Sequence, residues 1–387
     1  MRSLCAQLAL TLATASACAI ASPARAQGCP TRPYWPTVSW QSSSAQPGVA
    51  RTLAISALED YAFKTTGAWE EQRGIRTDAL LIVVGGEIIY ERYNDKYDRD
   101  RKHLSWSMVK AVTSALTGVA IGAGALDLDD SICDHLSYVS GENCDITVRH
   151  LMQYTTGLDW AESYEDGVLQ DSSTVAMLYG EGRFDQTRFV AAQPLRDQPG
   201  ESYGYSTGDY QLLSGVVDAA LRPLAGEHFP WVLLLDHVGL GSVTLERDAA
   251  GVFLGATNMY ASARDYARFG FLYLNDGCWE GERVLPEGWV ALTTDVSSGF
   301  RQAKIPDGTL WAPGMGWWLN RAVDEHGITP VIPEVPEDMY RAGGHWGQSI
   351  TVFPSLDAIV VRLGDDRDPT FKTEEFLPLA VAVVEAS

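Results

Sequence analysis

Two residues three positions apart, Ser107 and Lys110, could carry out chemistry at the start of a predicted helix. On a helix, positions i and i+3 share a face, so the serine hydroxyl and the lysine amine could form a hydrogen bond. A serine hydroxyl is a weak nucleophile until a base takes its proton, and a lysine between apolar residues could do so because burial disfavours its charged form. The backbone N–H groups at the helix start would also stabilise negative charge. The same spacing occurs by chance at solvated helix starts, so the rest of the chain must decide between these interpretations.

Two later stretches carry polar and aromatic side chains on loops, where ligand sites are often built. The first contains Asp159, Trp160 and Tyr164, and its aromatic side chains could either line a ligand site or cover an edge of the core. The second, Tyr203–Gly208, places Tyr205 on a glycine-flanked loop before an apolar-periodic helix. A tyrosine on such a constrained loop would be presented to a site from a fixed position.

The helices and strands that would hold these residues are predicted from the spacing of apolar side chains. The predicted helices are Leu53–Glu71, Ala111–Leu126, Ile146–Tyr154, Leu212–Ala220, Tyr266–Leu274 and Phe371–Val384. The predicted strands are Ala79–Val84, Glu87–Tyr93, Gly316–Asn320, Met339–Gly343, Ser349–Phe353 and Ala358–Leu363. The pair Gly85-Gly86 between the first two strands is typical of a hairpin turn.

The order of these elements predicts an α+β fold, because strands are followed by a long helical middle and then by further strands and a last helix. The economical arrangement is one antiparallel sheet made from both chain ends and flanked by helices, with an inserted, mainly helical subdomain. We therefore expect an extended arm over residues 27–50, a sheet domain over residues 51–115 and 245–387, and the helical subdomain over residues 116–244.

The chain has 387 residues, of which 46% are hydrophobic, and a formal net charge of −21. This length and composition allow a large buried core, while the negative charge argues against nucleic acid as a partner. A basic residue, an apolar stretch and Ala24-Arg25-Ala26 predict a signal peptide over residues 1–26, cleaved after Ala26. Cys18 offers an alternative lipid-anchor site. No later apolar run predicts a membrane span, so we expect an exported, periplasmic protein whose oligomeric state the sequence leaves open.

Cleavage after Ala26 would leave four cysteines in an oxidising compartment, where three pairings are possible. Cys133 and Cys144 flank a short loop rich in turn residues, so we predict that they form a disulfide. Cys29 and Cys278 would then form the second pair by elimination. A metal site is not expected, because these cysteines do not form a C-x-x-C pair and the seven histidines are scattered.

Three motifs in one order resemble those of the serine β-lactamases and penicillin-binding proteins: Ser107-Met-Val-Lys110, Tyr205-Ser-Thr207 and His345-Trp-Gly347. The chain is most similar to the class C-like branch that includes 6-aminohexanoate-dimer (nylon-oligomer) hydrolases and related esterases. Four stretches carry this resemblance: Ser105–Lys110, Arg149–Trp160, Ala263–Gly270 and Gly344–Gln348. It implies the β-lactamase/DD-peptidase-like fold. Thr207 in place of the usual Asn, and His345 in place of the commoner Lys, argue against efficient β-lactam turnover.

The resemblance implies a serine hydrolase that cleaves esters or amides of small molecules through an acyl-enzyme on Ser107, without a cofactor. Lys110 would help to deprotonate Ser107, and Tyr205 would act first as a base and then as an acid toward the leaving group. Backbone N–H groups of Ser107 and Gln348 would form the oxyanion hole, so strand geometry at Gln348 should matter more than its side chain. The implied substrate-binding residues are Tyr164, Thr207, His345, Trp346 and Gly347. The alternatives are a β-lactamase, a DD-peptidase, or a penicillin-recognising protein that is acylated without turnover.

Overall fold

The computed structural model describes residues 28–43, 46–66, 71, 73–164 and 171–387. The predicted signal peptide over residues 1–26 and the alternative anchor site at Cys18 lie outside the described residues. The strands, in chain order, are β1 Gln41–Ser42, β2 Thr65–Thr66, β3 Arg73–Gly74, β4 Thr77–Val84, β5 Glu87–Tyr93, β6 His103–Leu104, β7 Thr244–Leu245, β8 Met259–Ala261, β9 Cys278–Trp279, β10 Glu282–Arg283, β11 Ala312–Pro313, β12 Trp318–Leu319, β13 Tyr340–Gly344, β14 Gln348–Phe353 and β15 Ala358–Gly364.

The α-helices alternate with these strands and fill most of the middle of the chain. They are α1 Val49–Ala62, α2 Val109–Gly122, α3 Ile132–His135, α4 Val148–Met152, α5 Ser173–Tyr179, α6 Gln186–Ala191, α7 Thr207–Ala225, α8 Ala263–Leu274, α9 Trp289–Thr293, α10 Ser298–Gln302 and α11 Thr373–Glu385. A short 3₁₀ turn, Trp106–Met108, leads directly into α2.

The main sheet has the strand order β1-β5-β4-β15-β14-β13-β12-β11. Neighbouring strands pair antiparallel, except that β1 runs parallel to β5. Strands from both chain ends meet where β4 pairs with β15. The predicted α+β fold, with an antiparallel sheet built from both ends of the chain and flanked by helices, is therefore confirmed. The boundaries of the two expected domains stay a prediction.

Helices cover both faces of this sheet because successive side chains of its central strands point in opposite directions. Leu80 and Ile82 of β4 pack in the hydrophobic cluster that contains residues of α1 and α11. Leu81 and Val83 pack in the other cluster, with α2, α7 and α8. Both faces of β4 are thus buried, which explains its continuous apolar run. The turn after it uses Gly85 and Gly86, whose φ values of 60° and 89° suit a hairpin of this kind.

Several predicted elements are shorter than the sequence suggested, and two of them have a clear physical reason. The helix expected to reach Glu71 ends at Ala62, and Thr65–Thr66 pairs as a strand with Arg73–Gly74. Threonine is β-branched and fits a strand better than a helix, which explains this difference.

The strand predicted to begin at Gly316 begins at Trp318 instead. Gly316 has a φ of 90°, and a Cβ atom there would lie 3.0 Å from the Lys110 carbonyl oxygen. The chain therefore bends at Gly316 to pass close to α2 before it enters the sheet.

Two disulfides join segments that are separated in the chain. Cys133 pairs with Cys144, and Cys29 pairs with Cys278, with Cα–Cα distances of 5.3 and 5.7 Å. Both predicted pairings are confirmed. The second one ties the N-terminal segment to β9, next to the place where Trp35 packs against Phe271 and Trp279. Within the described residues, no helix combines the length and apolar character needed to cross a membrane.

Candidate active site

Ser107 lies in the 3₁₀ turn that precedes α2, and its side chain is half-buried. The turn is fixed from behind by Ser105, whose backbone N–H donates to the Met259 carbonyl at 2.7 Å. Trp106, between these two serines, has a φ of 45°, in the left-handed region that a bulky side chain rarely adopts. Such strain in a well-anchored turn is typical of functional sites. The turn therefore presents the Ser107 hydroxyl from a rigid support.

Lys110 reaches the Ser107 hydroxyl from the first turn of α2, with 2.9 Å between Nζ and Oγ. Its amine also donates to the Ala256 carbonyl at 2.9 Å and faces the Thr207 hydroxyl at 3.3 Å. Lys110 is 2% exposed, and this burial lowers its pKa to about 8, although the charges of Glu162 and Asp209 oppose the shift. The predicted serine–lysine contact is thus present, and the lysine is partly neutral near physiological pH.

Tyr205 lies just before α7 and borders the same small gap as Ser107 and Lys110, with Lys110 Nζ 5.1 Å from the centroid of its ring. Its ring packs between Tyr154 and Trp318, with centroid distances of 5.0 and 5.3 Å. Burial is the main reason why the pKa of Tyr205 is raised, and the Glu162 charge adds to the effect. Tyr205 is therefore a protonated phenol at neutral pH. The structure brings Ser107, Lys110 and Tyr205 together, as the order of the three motifs suggested.

Glu162 is a site residue that sequence reasoning missed. Its carboxylate accepts hydrogen bonds from the Thr207 N–H at 2.8 Å, from the Thr207 hydroxyl at 2.5 Å, and from the Tyr164 hydroxyl. Trp160 Nε1 and the Thr174 hydroxyl also donate to it, at 2.7 and 3.0 Å. An acid two residues before Tyr164 in an aromatic loop was the only signal for it in the sequence.

Thr207 is fully buried at the N-terminus of α7, so its hydroxyl is not presented at the surface of the site. That hydroxyl donates to Glu162 and accepts from Lys110, and it lies 3.3 Å from the Tyr164 hydroxyl. Thr207 therefore connects the carboxylate in the 158–164 loop to the amine beside Ser107.

Aromatic rings from the Ser107 turn and from the third motif meet on one side of Ser107. The Trp106 ring meets those of His345 and Trp346 edge to face, with centroid distances of 5.6 and 5.2 Å. The Tyr164 ring lies 4.9 Å from that of His345. The structure thus brings Tyr164, His345 and Trp346 together, as the resemblance implied.

Gln348 begins β14, and its buried side chain binds the backbone on two sides. Its Oε1 accepts the Gly364 N–H at 3.0 Å, and its Nε2 donates to the carbonyls of His345, Trp346 and Gly364. The side chain therefore shapes the 345–347 turn and joins β14 to β15. We expected strand geometry at Gln348 to matter more than its side chain, but this side chain itself helps to set that geometry.

Gly347 lies against a buried ion pair behind this turn and has a φ of 87°. A Cβ atom at this position would lie 2.1 Å from Asp366 Oδ2 and 2.2 Å from Arg362 Nη1. Arg362 also donates to the Gly347 carbonyl at 2.9 Å. The close approach of this pair requires glycine.

Asp209 is a buried acid near Lys110. It accepts the Thr156 hydroxyl at 2.9 Å through Oδ1, while Oδ2 has no hydrogen-bond partner among the described residues. Burial raises the pKa of Asp209 to about 8. Its carboxyl is therefore mostly protonated at neutral pH. Among all the described residues, no three His, Cys, Asp or Glu side chains are grouped in a way that could hold a metal ion.

Comparison with known proteins gives one family match and several relatives. Residues 58–382 match the beta-lactamase family. The chain is 25% identical over 317 residues to a 6-aminohexanoate-dimer hydrolase of Paenarthrobacter ureafaciens, which covers 76% of this chain and 74% of that protein.

Among solved structures, the fold is similar to a Bacillus anthracis protein provisionally assigned as a 6-aminohexanoate-dimer hydrolase. The TM-score is 0.66 at 17% identity, covering 90% of this chain and 87% of that one. A family VIII carboxylesterase is also similar, with a TM-score of 0.60 at 16% identity, covering 89% of this chain and 98% of that one. At these identities the likeness concerns the fold.

Proposed function

Since this chain belongs to the beta-lactamase family, we propose that it is a serine hydrolase that cleaves ester or amide bonds of small molecules through an acyl-enzyme on Ser107. The observation that carries this proposal is the contact of 2.9 Å between Lys110 Nζ and Ser107 Oγ, at a gap that Tyr205 also borders. The names of the hydrolase and carboxylesterase relatives support the same reaction class.

Lys110 is the base in this proposal. With a pKa of about 8, roughly one lysine in ten is neutral at pH 7, and this form takes the Ser107 proton as Oγ attacks the carbonyl carbon. The buried amine costs little to keep neutral because desolvation disfavours its charge. Lys110 thereby becomes charged while the negative charge moves to the carbonyl oxygen.

Tyr205 is the proton donor to the leaving group. Its raised pKa supports the acid role that the resemblance implied, and leaves the first deprotonation to Lys110. Tyr205 gives its proton to the leaving oxygen or nitrogen as the bond to the carbonyl carbon breaks, and Lys110 then returns a proton to Tyr205. Water attacks the acyl-enzyme by the reverse sequence of proton transfers, which releases the acid and restores Ser107.

The oxyanion would be held by the backbone N–H groups of Ser107 and Gln348. The close approach of β13 to the Ser107 turn supports this placement, since a Cβ atom on Gly344 would lie 2.2 Å from the Ser105 carbonyl oxygen. Of the residues expected to bind substrate, we retain Tyr164, His345 and Trp346. We assign Thr207 and Gly347 positioning roles, because Thr207 is buried and Gly347 packs against an ion pair.

The test is the substitution Ser107→Ala, with Ser137→Ala at an exposed serine as the matched control. Hydrolysis of p-nitrophenyl acetate and labelling by a fluorophosphonate should both be lost in Ser107→Ala and kept in the control. Undiminished labelling and turnover by Ser107→Ala would overturn the proposal. Nitrocefin in the same assay distinguishes a β-lactamase, and a product burst followed by a stable covalent adduct would indicate acylation without turnover.

A further inference from the structure

An apolar cavity of about 220 Å³ lies beside the catalytic turn. We call it the aromatic cavity, and it is lined mainly by Trp106, Tyr164, Val175, Leu178, Tyr179 and Trp346. Trp106 directly precedes Ser107, and Trp346 belongs to the third motif. The opposite wall is one face of α5, which provides Val175, Leu178 and Tyr179. The cavity therefore extends from the turn that carries the proposed nucleophile to α5.

The space that Ser107 itself lines is nearly closed. The gap between Ser107, Lys110, Tyr205, Tyr154 and Trp318 measures only about 10 Å³. A bulky substituent could not lie inside this gap without displacing aromatic rings, so a leaving group would approach Tyr205 from outside it. A further cavity of about 260 Å³ also borders Trp106 and Trp346, but Arg101, Lys102 and Arg367 line it. The aromatic cavity is therefore the apolar space that a bulky group bound near Ser107 could occupy.

The lining determines which groups the aromatic cavity would accept. Among the described residues that line it, none is Asp, Glu, Lys or Arg. The Tyr164 hydroxyl is already bound to Glu162, so it is not free to bind a ligand in the cavity. The Tyr164 ring lies 4.9 Å from the His345 ring, tilted against it. Thr174 and His345 also line the cavity, but no carboxylate does, so an ammonium group placed here would lose its hydration without an ion-pair partner in the lining. An apolar group, in contrast, gains from burial.

The volume limits the size of the occupant. Ligand pockets for whole small molecules measure about 300–1,000 Å³, so this cavity would hold only part of a substrate. At about 30 Å³ for each water molecule in the liquid, it has the bulk of roughly seven waters. That corresponds to a short alkyl chain or a single aromatic ring.

We propose that the aromatic cavity binds the acyl substituent of the substrate, and that the protein therefore prefers esters or amides of uncharged, medium-sized apolar acids. This inference rests on the proposed function. In the proposed function, Tyr205 protonates the leaving group. Tyr205 borders the small closed gap and does not border the aromatic cavity. The group on the far side of the carbonyl from Tyr205 is the acyl chain.

The test compares p-nitrophenyl esters that share a leaving group and differ in the acid: acetate, hexanoate, phenylacetate and the charged 6-aminohexanoate. We expect kcat/KM for hexanoate and phenylacetate to exceed that for acetate by roughly tenfold or more, since each buried methylene contributes to transition-state binding. The 6-aminohexanoate ester, equal in chain length to hexanoate, should be the poorer substrate of the two.

The substitution Val175→Phe fills the cavity, and acetate is its internal control because an acetyl group is too short to reach α5. The ratio of kcat/KM for hexanoate to kcat/KM for acetate should fall below about threefold. An equal loss on all esters, or an unchanged preference, would overturn the inference.

Binding without turnover separates this inference from the proposed reaction. In Ser107→Ala, p-nitrophenyl hexanoate should quench tryptophan fluorescence at lower concentrations than the acetate, because Trp106 and Trp346 line the cavity. The added substitution Val175→Phe should remove that difference. If Ser107→Ala binds hexanoate more tightly but the original chain does not hydrolyse either ester, the cavity assignment stands and the hydrolase proposal fails. Equal binding of the two esters would overturn the cavity assignment.

Discussion

The carboxylate of Glu162 accepts both hydrogen-bond donors of Thr207, the backbone N–H at 2.8 Å and the hydroxyl at 2.5 Å. A carboxylate at the N-terminus of α7 satisfies an N–H group that lacks a partner within the helix, and it is favoured there by the helix dipole. The Thr207 hydroxyl also accepts a hydrogen bond from Lys110 at 3.3 Å. Thr207 therefore connects the Glu162 carboxylate to the amine of Lys110 beside Ser107. Glu162 is therefore a positioning residue that also sets the electrostatic potential at Lys110.

The substitution Glu162→Gln should shift the pH dependence of turnover to lower pH. The negative charge of Glu162 raises the pKa of Lys110, so its removal should lower that pKa below its present value of about 8. If neutral Lys110 is the base, the acidic limb of the kcat/KM profile moves in the same direction. The amide NH2 group that Glu162→Gln introduces cannot accept the hydrogen bonds that the Thr207 and Tyr164 hydroxyls now donate to Glu162. The loss of these bonds should disturb the site, so kcat should fall by about tenfold or more.

The measurement is a pH series of kcat/KM with p-nitrophenyl acetate. Glu287→Gln, at an exposed glutamate, is the matched control and should leave the profile unchanged. An acidic limb that stays in place or moves to higher pH in Glu162→Gln would contradict this electrostatic role.

The substitution Asp209→Asn should stabilise the protein increasingly as the pH rises from 5 to 7. Burial raises the pKa of Asp209 to about 8, whereas an aspartate in an unfolded chain titrates near 3.9. Between these values the folded chain retains a proton that the unfolded chain has released. The free energy of unfolding therefore falls with rising pH, by up to about 1.4 kcal/mol per pH unit from this group. Asparagine stays neutral and removes this loss.

Urea unfolding at pH 5 and pH 7 measures this effect. The gain in the free energy of unfolding of Asp209→Asn over the original chain should be larger at pH 7, by as much as about 3 kcal/mol. Asp307→Asn, at an exposed position, should show no such trend. A difference that is constant or smaller at pH 7 would mean that Asp209 is ionised in the folded protein.

The sequence predicted those parts of the site that depend on local spacing. Ser107 and Lys110 are three residues apart, so helix geometry alone brings their side chains together. Tyr205 and the His345–Gln348 stretch were identified by the order of three motifs, since no local rule connects residues a hundred positions apart. The buried central strands were equally clear, because apolar runs such as Leu80–Val83 are typical of strands covered on both faces.

The parts that were missed depend on contacts distant in the chain. Glu162 meets Thr207 across 45 positions, and no periodicity links a loop acid to a helix start. The side chain of Gln348 binds the backbone of a neighbouring strand at Gly364, which a motif read as a backbone donor does not reveal. The bend at Gly316 depends on the position of α2, so the late start of β12 could not be read from its own residues.

The substitution Gly344→Ala should impair catalysis more than substrate binding. A Cβ atom there would lie 2.2 Å from the Ser105 carbonyl oxygen and 3.0 Å from the Gln348 side chain. Ser105 cannot easily yield, because its N–H is bonded to Met259, so the end of β13 must move away from the Ser107 turn. That movement would separate the two proposed oxyanion donors. Since a misplacement of about 1 Å can cost a hundredfold in rate, we expect kcat to fall by about that factor, with KM changed by less than about threefold.

The matched control for Gly344→Ala is Gly48→Ala, where φ is −66° and no atom lies within 4 Å of the added Cβ. Steady-state kinetics with p-nitrophenyl acetate and urea unfolding should be measured on both variants. We expect Gly344→Ala to lose about 1–3 kcal/mol of the free energy of unfolding through overpacking, and Gly48→Ala to lose almost none. The rate is the decisive readout, because the variant must remain folded at the assay temperature for its low kcat to report on the oxyanion hole. If Gly344→Ala retains full kcat, β13 does not need this close approach, and the proposed donor at Gln348 would have to be replaced by another group.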